Sequence, residues 1–214
     1  MVRKIFRPGC LVICALLASQ TRGAGCRLLK YGTFPVEMLD GRATTMVKIN
    51  GNDTRFVFDT GAQFNFMSRA NALSLGLSLR AAPFGFRMSG VGGATSVDFS
   101  EVKAFGILDT TLKNIGFIDG GTDTGYGLLG ANLLDAADLE VDLAHGKLTL
   151  FKPEHCNKLA MAYWTKGGYN LADIDPPESR NDRRTFLTVT INGKKVRALL
   201  DSGAFATVLS RRAA

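Results

Sequence analysis

The chain has 214 residues, of which 46% are hydrophobic and 21% are charged, a balance typical of a globular protein. This length accommodates one ordinary domain and part of a second. The 24 glycines against 6 prolines indicate many tight turns, as in a β-rich chain. The formal net charge of +7 would suit an anionic partner, but the distribution of the basic residues along the chain argues against one.

The N-terminus has the three-part organisation of a secretory signal peptide. Arg3, Lys4 and Arg7 precede an apolar run over residues 10–18, and small residues follow at 23–25. That run is far shorter than the roughly 20 residues needed to cross a bilayer. Removing the leader lowers the net charge from +7 to +3 and leaves no basic block. We therefore predict an exported protein, periplasmic or extracellular, with no nucleic-acid partner.

Export also determines how the cysteines are interpreted. Cys10 and Cys14 leave with the leader, so the mature chain keeps Cys26 and Cys156. Two cysteines in an exported chain are most simply a disulfide. The alternative is a lipoprotein held at a membrane by an acylated Cys26, but the residue before Ala24 is Gly rather than a large aliphatic one. We expect the disulfide.

The mature chain is predicted to consist of short strands joined by glycine turns. This pattern indicates an all-β barrel or sandwich. A helix is expected at 69–75, after Ser68 as N-cap, and helical character returns at 131–137. The predicted strands cover residues 34–39, 44–50, 55–58, 64–67, 102–108, 112–119, 139–143 and 147–151.

One further predicted hairpin has a glycine-rich tip. A phosphate-binding loop would need a following Lys-Ser/Thr or a strand and helix on either side, and neither is present. We interpret the segment as a flexible hairpin and predict no cofactor. Its centre consists of Met88, Ser89, Gly90, Val91, Gly92 and Gly93.

An internal repeat carries the strongest functional signal. Residues 189–193 repeat the pattern of 47–51, and residues 197–204 repeat that of 55–62, at a constant offset of 142. Turn chemistry alone would not place the same polar residues at one spacing twice, so both copies indicate a site. The repeated tetrapeptides are Asp59-Thr60-Gly61-Ala62 and Asp201-Ser202-Gly203-Ala204.

The repeat implies a division of the chain into domains. We predict that Tyr163 and Trp164 pack the connector onto the barrel. The second copy is too short to bury a core of its own. The predicted units are a signal peptide at 1–25, a first domain at 26–156, a connector at 157–182 and an N-terminal fragment of a second domain at 183–214.

Two Asp-containing loops suggest a pair of carboxyl groups. Two carboxyls about 3 Å apart cannot both ionise, so they share a proton. One then takes a proton from a water that attacks an amide carbonyl, and the other donates to the developing oxyanion. Gly61 lets the backbone approach the carboxylate closely, Thr60 braces the loop, and the glycine-rich hairpin closes over the site.

These motifs, in this order, resemble a retropepsin-like aspartic protease, in particular exported bacterial proteins with two such domains in tandem. The resemblance covers most of residues 34–152 and also rests on Leu128-Leu129-Gly130. It implies a closed β-barrel with one or two short helices, in which that strand lies beneath the Asp loop. It also implies that Asp59 and Asp201 are catalytic, that Thr60 grips across the dimer axis, and that the hairpin is the flap.

In that family each domain supplies one aspartate. Asp59 therefore pairs either with Asp201 of the same chain in a pseudo-dimer or with Asp59 of a second copy in a homodimer. The leading hypothesis is an endopeptidase acting on a peptide or protein substrate. The alternative is a non-catalytic peptide-binding or scaffold protein of the cell envelope.

Other hydrolytic chemistries lack support in the sequence. His145 lies in a predicted turn and His155 beside Cys156, without the spacing of a metal-ligand cluster, so no metal is predicted. No serine stands in a nucleophile-elbow context, which argues against a Ser-His-Asp triad.

Overall fold

The computed structural model describes residues 25–90, 93–121, 125–134, 137–156, 159, 161–211 and 213–214. The predicted signal peptide up to residue 24, and Val91 and Gly92 of the glycine-rich tip, lie outside these residues. Within the described ranges the chain forms fifteen strands and two α-helices: β1 Arg27–Pro35, β2 Glu37–Leu39, β3 Arg42–Ile49, β4 Asn52–Phe58, β5 Phe66–Met67, α1 Arg69–Ser74, β6 Arg80–Ala81, β7 Met88–Gly90, β8 Gly93–Thr95, β9 Val97–Ile107, β10 Thr110–Gly120, β11 Gly127–Leu129, α2 Ala131–Leu134, β12 Asp138–Asp142, β13 Lys147–Glu154, β14 Phe186–Ile191 and β15 Lys194–Leu199.

Six strands close into a barrel. They are hydrogen-bonded in the order β3, β4, β11, β5, β10 and β9. β9 pairs back onto β3 through Lys48 with Gly106 and Ile49 with Phe105. Closure of a sheet on itself removes the unpaired edges that an open sheet would expose. The predicted all-β closed barrel with short helices is thereby confirmed.

Phenylalanine side chains dominate the barrel interior. The rings of Phe34 and Phe58 meet edge-on with centroids 5.1 Å apart, and those of Phe56 and Phe117 at 5.7 Å. Each of these four side chains is at most 2% exposed. Edge-to-face pairs contribute about 0.5–1.5 kcal/mol beyond the burial of their area. The packed core thereby holds the end of β4, from which Asp59 emerges.

The repeated sequence folds into the same hairpin twice. Asn50 and Gly51 join β3 to β4 with φ angles of 50° and 93°, and Asn192 and Gly193 join β14 to β15 with 49° and 77°. Two successive left-handed residues are what a two-residue hairpin loop requires, and Asn-Gly adopts them most readily. The predicted Asn-Gly hairpins are therefore present in both copies.

Several predicted element limits are wrong. The strand expected over residues 34–39 is two strands, broken at Val36, whose N–H donates to Gly146 O at 2.9 Å. β1 instead extends back to Arg27 because it pairs along the whole length of β13. β9 and β10 are 11 residues each, longer than predicted, because they pair with each other as far as Val97 and Gly120.

One shorter strand also differs from the prediction. Phe64 lies outside the strand expected at 64–67, which is reduced to β5. The helical character predicted at 131–137 is present as α2 over Ala131–Leu134, and residues 135–136 lie outside the described residues. The helix predicted at 69–75 is confirmed as α1, and the Ser68 side chain caps it by accepting from Asn71 N–H at 3.0 Å. Among the described residues, no helix is long and apolar enough to span a membrane.

Cys26 and Cys156 form the expected disulfide at the outer end of the β1–β13 pair. The bond joins residues 130 apart in sequence. Closing so long a loop in the unfolded chain corresponds to about 4–5 kcal/mol in the chain-entropy description. A Cys26 sulfur held in this bond is not free for acylation.

Tyr163 of the connector packs on β13, which belongs to the three-stranded sheet β1–β13–β12 and not to the six-stranded barrel. Its ring lies 5.8 Å from that of Phe151, in the edge-on arrangement. Trp164 contacts the ring of Tyr163 at 5.4 Å and remains 66% exposed. The packing predicted for the pair is therefore made by Tyr163 against β13, and Trp164 covers Tyr163.

Asp119 is a carboxyl group enclosed by the barrel. Its side chain is on β10 in a residue with 0% exposure, and its Oδ1 accepts from Ser100 Oγ at 3.0 Å. Within the described part of the chain, Oδ2 has no hydrogen-bond partner. Burial raises the pKa of Asp119 from 3.8 to about 6; the Ser100 hydroxyl and Arg69 oppose this rise and Asp98 adds to it.

We expect Asp119→Asn to raise the thermal unfolding midpoint at pH 7.5 and to flatten its dependence on pH. A carboxyl whose pKa is higher in the folded than in the unfolded chain stabilises the fold below about pH 4, and this contribution is lost as the pH rises through about 6. The measurement is thermal unfolding from pH 4 to pH 8. The exposed Asp109→Asn serves as control, and an unchanged pH dependence in Asp119→Asn would contradict the assignment.

Candidate active site

Two strands of the repeated hairpins deliver Asp59 and Asp201 to one place. β4 and β15 are the second strands of their hairpins, and each is followed within two residues by its aspartate. A Cβ atom built on Gly61 would lie 2.4 Å from Cγ of Asp201, and one built on Gly203 would lie 2.3 Å from Cγ of Asp59. Each carboxyl group therefore lies against the glycine of the other loop. A side chain at either glycine would occupy the space that the carboxyl group fills.

Each loop also wraps its own carboxylate with backbone donors. The N–H groups two and three residues after the aspartate donate to its Oδ1, at 3.0 and 2.8 Å in the first loop and at 2.9 and 3.1 Å in the second. Because the same oxygen is used in both loops, the other oxygen of each carboxyl group is left for a ligand or for the opposite carboxyl. The donors are Gly61, Ala62, Gly203 and Ala204.

The hydroxyl groups of Thr60 and Ser202 join the two loops in a two-fold pattern. Thr60 Oγ1 donates to Leu200 O at 2.7 Å and accepts from Ser202 N–H at 3.0 Å. Ser202 Oγ donates to Phe58 O at 2.7 Å and accepts from Thr60 N–H at 3.1 Å. The four bonds connect parts of the chain about 142 residues apart, so the two copies of the repeat are fastened to each other at this point.

The electrostatics of the pair favour a shared proton. Burial raises the pKa of Asp59 from 3.8 to about 6, and the charge of Asp201 and a hydrogen bond with it add to the rise. The N–H groups of Ala62 and Gly61 oppose it. Two carboxyl groups in such contact titrate as a unit, so the pair retains a proton at pH values where an isolated aspartate is ionised.

The segment Leu128-Leu129-Gly130 supports the first loop from below. β11, which contains the two leucines, runs parallel to β4, and Leu129 O accepts from Asp59 N–H at 3.0 Å. Ala131 N–H donates to Ala62 O at 2.8 Å on the other side of the loop. The strand therefore lies beneath the Asp loop, as the resemblance implies.

Asn65 is a site-supporting residue that sequence reasoning missed. It is 1% exposed, and its Oδ1 accepts from Gly130 N–H at 3.0 Å. A Cβ on Gly130 would lie 2.4 Å from the backbone of Phe64, so a glycine is required where the two segments cross. The available signal was a polar residue placed between Phe64 and Phe66, because a buried amide needs partners.

The glycine-rich hairpin is present, and its base is tied to α1. Arg69 Nε donates to Asp98 Oδ2 at 2.5 Å, and its Nη2 donates to Ser96 O at 3.2 Å. Val91 and Gly92, at the tip, lie outside the described residues. The antiparallel pairs are Met88 with Thr95, Ser89 with Ala94 and Gly90 with Gly93.

The two histidines lie away from any metal-binding arrangement. His145 is exposed in the turn between β12 and β13, with Nδ1 2.8 Å from an oxygen of Asp142, and His155 is exposed beside the disulfide. Across the described ranges, no group of three or more His, Cys, Asp or Glu is placed to hold a metal ion.

The paired loops and closed barrel define an aspartic-protease-like class of protein. Residues 45–133 match a family described as aspartyl protease, and residues 181–214 match one described as retroviral aspartyl protease. The first match contains Asp59 and the second contains Asp201. Each copy of the repeat therefore matches an aspartyl protease family over its own part of the chain.

Solved structures with similar folds include three proteases or protease-like domains. A retropepsin-like aspartic protease from Rickettsia conorii is 19% identical, covers 60% of this chain and 95% of its own, and has a TM-score of 0.42. The EIAV protease, complexed with an inhibitor, is 24% identical, covers 47% of this chain and 93% of its own, and has a TM-score of 0.39. The retroviral protease-like domain of Ddi1 from Leishmania major is 18% identical, covers 55% of this chain and 98% of its own, and has a TM-score of 0.37. Among curated proteins, no sequence matches.

Proposed function

We propose that the protein is an exported aspartic endopeptidase whose two catalytic carboxyl groups are Asp59 and Asp201 of one chain. The observation that carries the proposal is the contact of each carboxyl group with the glycine of the opposite loop. The reciprocal hydrogen bonds of Thr60 and Ser202 support it, because they hold two carboxyl groups in a fixed mutual position.

In this mechanism the pair shares one proton. The ionised carboxylate takes a proton from water, whose oxygen bonds to the carbonyl carbon of the peptide, and the protonated carboxyl donates its proton to the carbonyl oxygen. One hydroxyl of the tetrahedral diol then returns its proton to the ionised carboxylate as the carbonyl re-forms and the C–N bond breaks. The other carboxyl donates its proton to the leaving nitrogen, so the pair again holds one proton. Asp59 suits the proton-donating role, because burial and the charge of Asp201 raise its pKa to about 6.

The remaining parts have supporting roles in the proposal. The hairpin around residues 88–95 closes over an extended peptide and excludes water. Residues 26–156 form the first domain. Residues 183–214 belong to a second domain and contribute Asp201. A signal peptide at 1–25 directs the protein to the periplasm or the cell exterior.

We expect the hydrolysis of an unstructured peptide to decline as the pH rises through about 6. Above its pKa, Asp59 releases the proton that the carbonyl oxygen must receive, so the singly protonated pair is lost. The measurement is kcat/KM from pH 3 to pH 8 with a fluorogenic peptide mixture. Asp109→Asn, an exposed change remote in sequence from both loops, should leave the profile unaltered.

Two results would contradict the proposal. Hydrolysis that stays constant from pH 4 to pH 8 would exclude Asp59 as the group that controls the reaction. Saturable binding of peptides without cleavage at any pH would favour the alternative, a non-catalytic peptide-binding protein of the cell envelope.

A further inference from the structure

The repeat extends further upstream than the hairpin motifs. Asp40 and Arg42 stand at the start of the first hairpin, and Asp182 and Arg184 stand 142 residues later, just before the second. Each arginine lies at or just before the first strand of its hairpin. Although the two Asp–Arg pairs correspond in sequence, their arginines bind different partners.

Arg184 is held within its own copy. Its Nε and Nη2 donate to the two carboxylate oxygens of Asp182 at 2.9 and 2.8 Å. Its guanidinium lies over the ring of Phe186, 5.2 Å from the centroid. Asp182 is 5% exposed, so the pair is largely shielded from water. The backbone N–H of Arg184 also donates to Asp182 Oδ1 at 3.1 Å, so the carboxylate binds this arginine through both its side chain and its backbone.

Arg42 instead crosses to the other copy. Its Nε donates to Gly203 O at 2.7 Å, and its guanidinium lies over the ring of Phe205, 5.5 Å from the centroid. Gly203 is the residue that abuts the carboxyl of Asp59 and whose N–H donates to Asp201. Arg42 therefore binds the loop of the second aspartate at its glycine.

Tyr126 binds the carboxylate of the first pair. Its hydroxyl donates to Asp40 Oδ2 at 2.7 Å, on the carboxylate that corresponds to the one that holds Arg184. The hydrogen bond with Asp40 raises the pKa of this phenol, and the charge of Arg42 opposes the rise. Tyr126 immediately precedes β11, the strand beneath the Asp59 loop.

We propose that Arg42 is a positioning residue for Asp201, and that Tyr126 directs it across the interface by occupying Asp40. Without the phenol, Asp40 draws Arg42 back into the arrangement that Arg184 makes with Asp182. The Asp201 loop then loses its attachment to the first domain and moves away from Asp59. The effect on catalysis rests on the proposed protease function, whereas the effect on the loop does not.

The first test measures the loop without relying on activity. The titration of the Asp59 carboxyl is followed by carbon NMR in Tyr126→Phe, Arg42→Ala, and the double variant Tyr126→Phe with Asp40→Asn. Since Asp201 contributes to the raised pKa of Asp59, displacement of its loop should lower that pKa in the two single variants. The double variant should restore it, because an uncharged Asn does not compete for the guanidinium.

The second test measures hydrolysis in the same proteins. Tyr126→Phe and Arg42→Ala should lower kcat about tenfold with a smaller change in KM, and Asp40→Asn should rescue the Tyr126→Phe protein. Tyr169→Phe, a half-exposed phenol in the connector, is the matched control and should behave as the unaltered protein.

The outcomes separate this inference from the proposed function. Suppose that the pKa of Asp59 falls in Tyr126→Phe and is restored in the double variant, but that no variant and no unaltered protein cleaves peptide. This result would support the positioning role of Arg42 and would reject the proposed protease function. An unshifted Asp59 titration in Tyr126→Phe, or failure of Asp40→Asn to restore it, would overturn the inference. Should Tyr126→Phe fail to fold, Arg42→Ala remains decisive for the positioning role, because an unshifted Asp59 titration in that variant would overturn it.

Discussion

Replacing Asp201 with Asn or Ala should abolish peptide hydrolysis as completely as the same changes at Asp59, by at least about 10³-fold in kcat. The reason is geometric, because the carboxyl of Asp201 lies against Gly61, where it faces Asp59 within the same chain. A pair that has lost either carboxyl cannot hold one proton and one negative charge together. The measurement is kcat for a fluorogenic peptide at pH 5.

Two controls make this result specific. Asp173→Asn removes an exposed carboxylate from the connector and should retain full activity. The Ala variants exclude recovery by deamidation of Asn to Asp. Full activity in Asp201→Ala would instead show that Asp59 pairs with Asp59 of a second copy, and activity should then depend on protein concentration.

Adding one methyl group to either loop should lower hydrolysis about 10²-fold or more. In Gly61→Ala the new Cβ would lie 2.4 Å from Cγ of Asp201, and in Gly203→Ala it would lie 2.3 Å from Cγ of Asp59. Contacts this short force the carboxyl groups apart, and a displacement of about 1 Å at reacting groups is enough for such a loss. The two variants should be affected alike, because the contacts are reciprocal.

The matched control is Gly168→Ala, since a Cβ at that position meets nothing within 4 Å. Thermal unfolding should accompany the assay, so that a loss of activity in a folded protein is distinguished from a loss of fold. Folded Gly61→Ala and Gly203→Ala proteins with undiminished kcat would show that the two carboxyl groups do not act as a pair.

Elements that depend on neighbours in sequence were predictable. The Asn-Gly turns at 50–51 and 192–193 need left-handed backbone, which few residue types supply, so their location follows from residue identity alone. The helix after Ser68 was equally accessible, because an N-cap hydroxyl and a short run of helix-forming residues act within one turn.

Elements that depend on distant partners were not predictable in the same way. The break at Val36 follows from its bond to Gly146 O, and the extension of β1 to Arg27 follows from pairing with β13, both more than 100 residues away. Asn65 was passed over because its role lies in a bond to Gly130, which only the folded barrel brings within reach. Strand limits thus depend on the partner strand at least as much as on the strand's own sequence.

Local turn chemistry and a constant offset of 142 identify two aspartate loops of one kind without any knowledge of the fold. That the two loops meet, with Thr60 and Ser202 exchanging hydrogen bonds, is visible only in the folded chain. The same holds for Arg42, which crosses the interface while Arg184 stays in its own copy. Which partner a side chain binds depends on the groups that the fold brings close to it. These groups are distant in sequence, so no periodicity or spacing in the sequence identifies them.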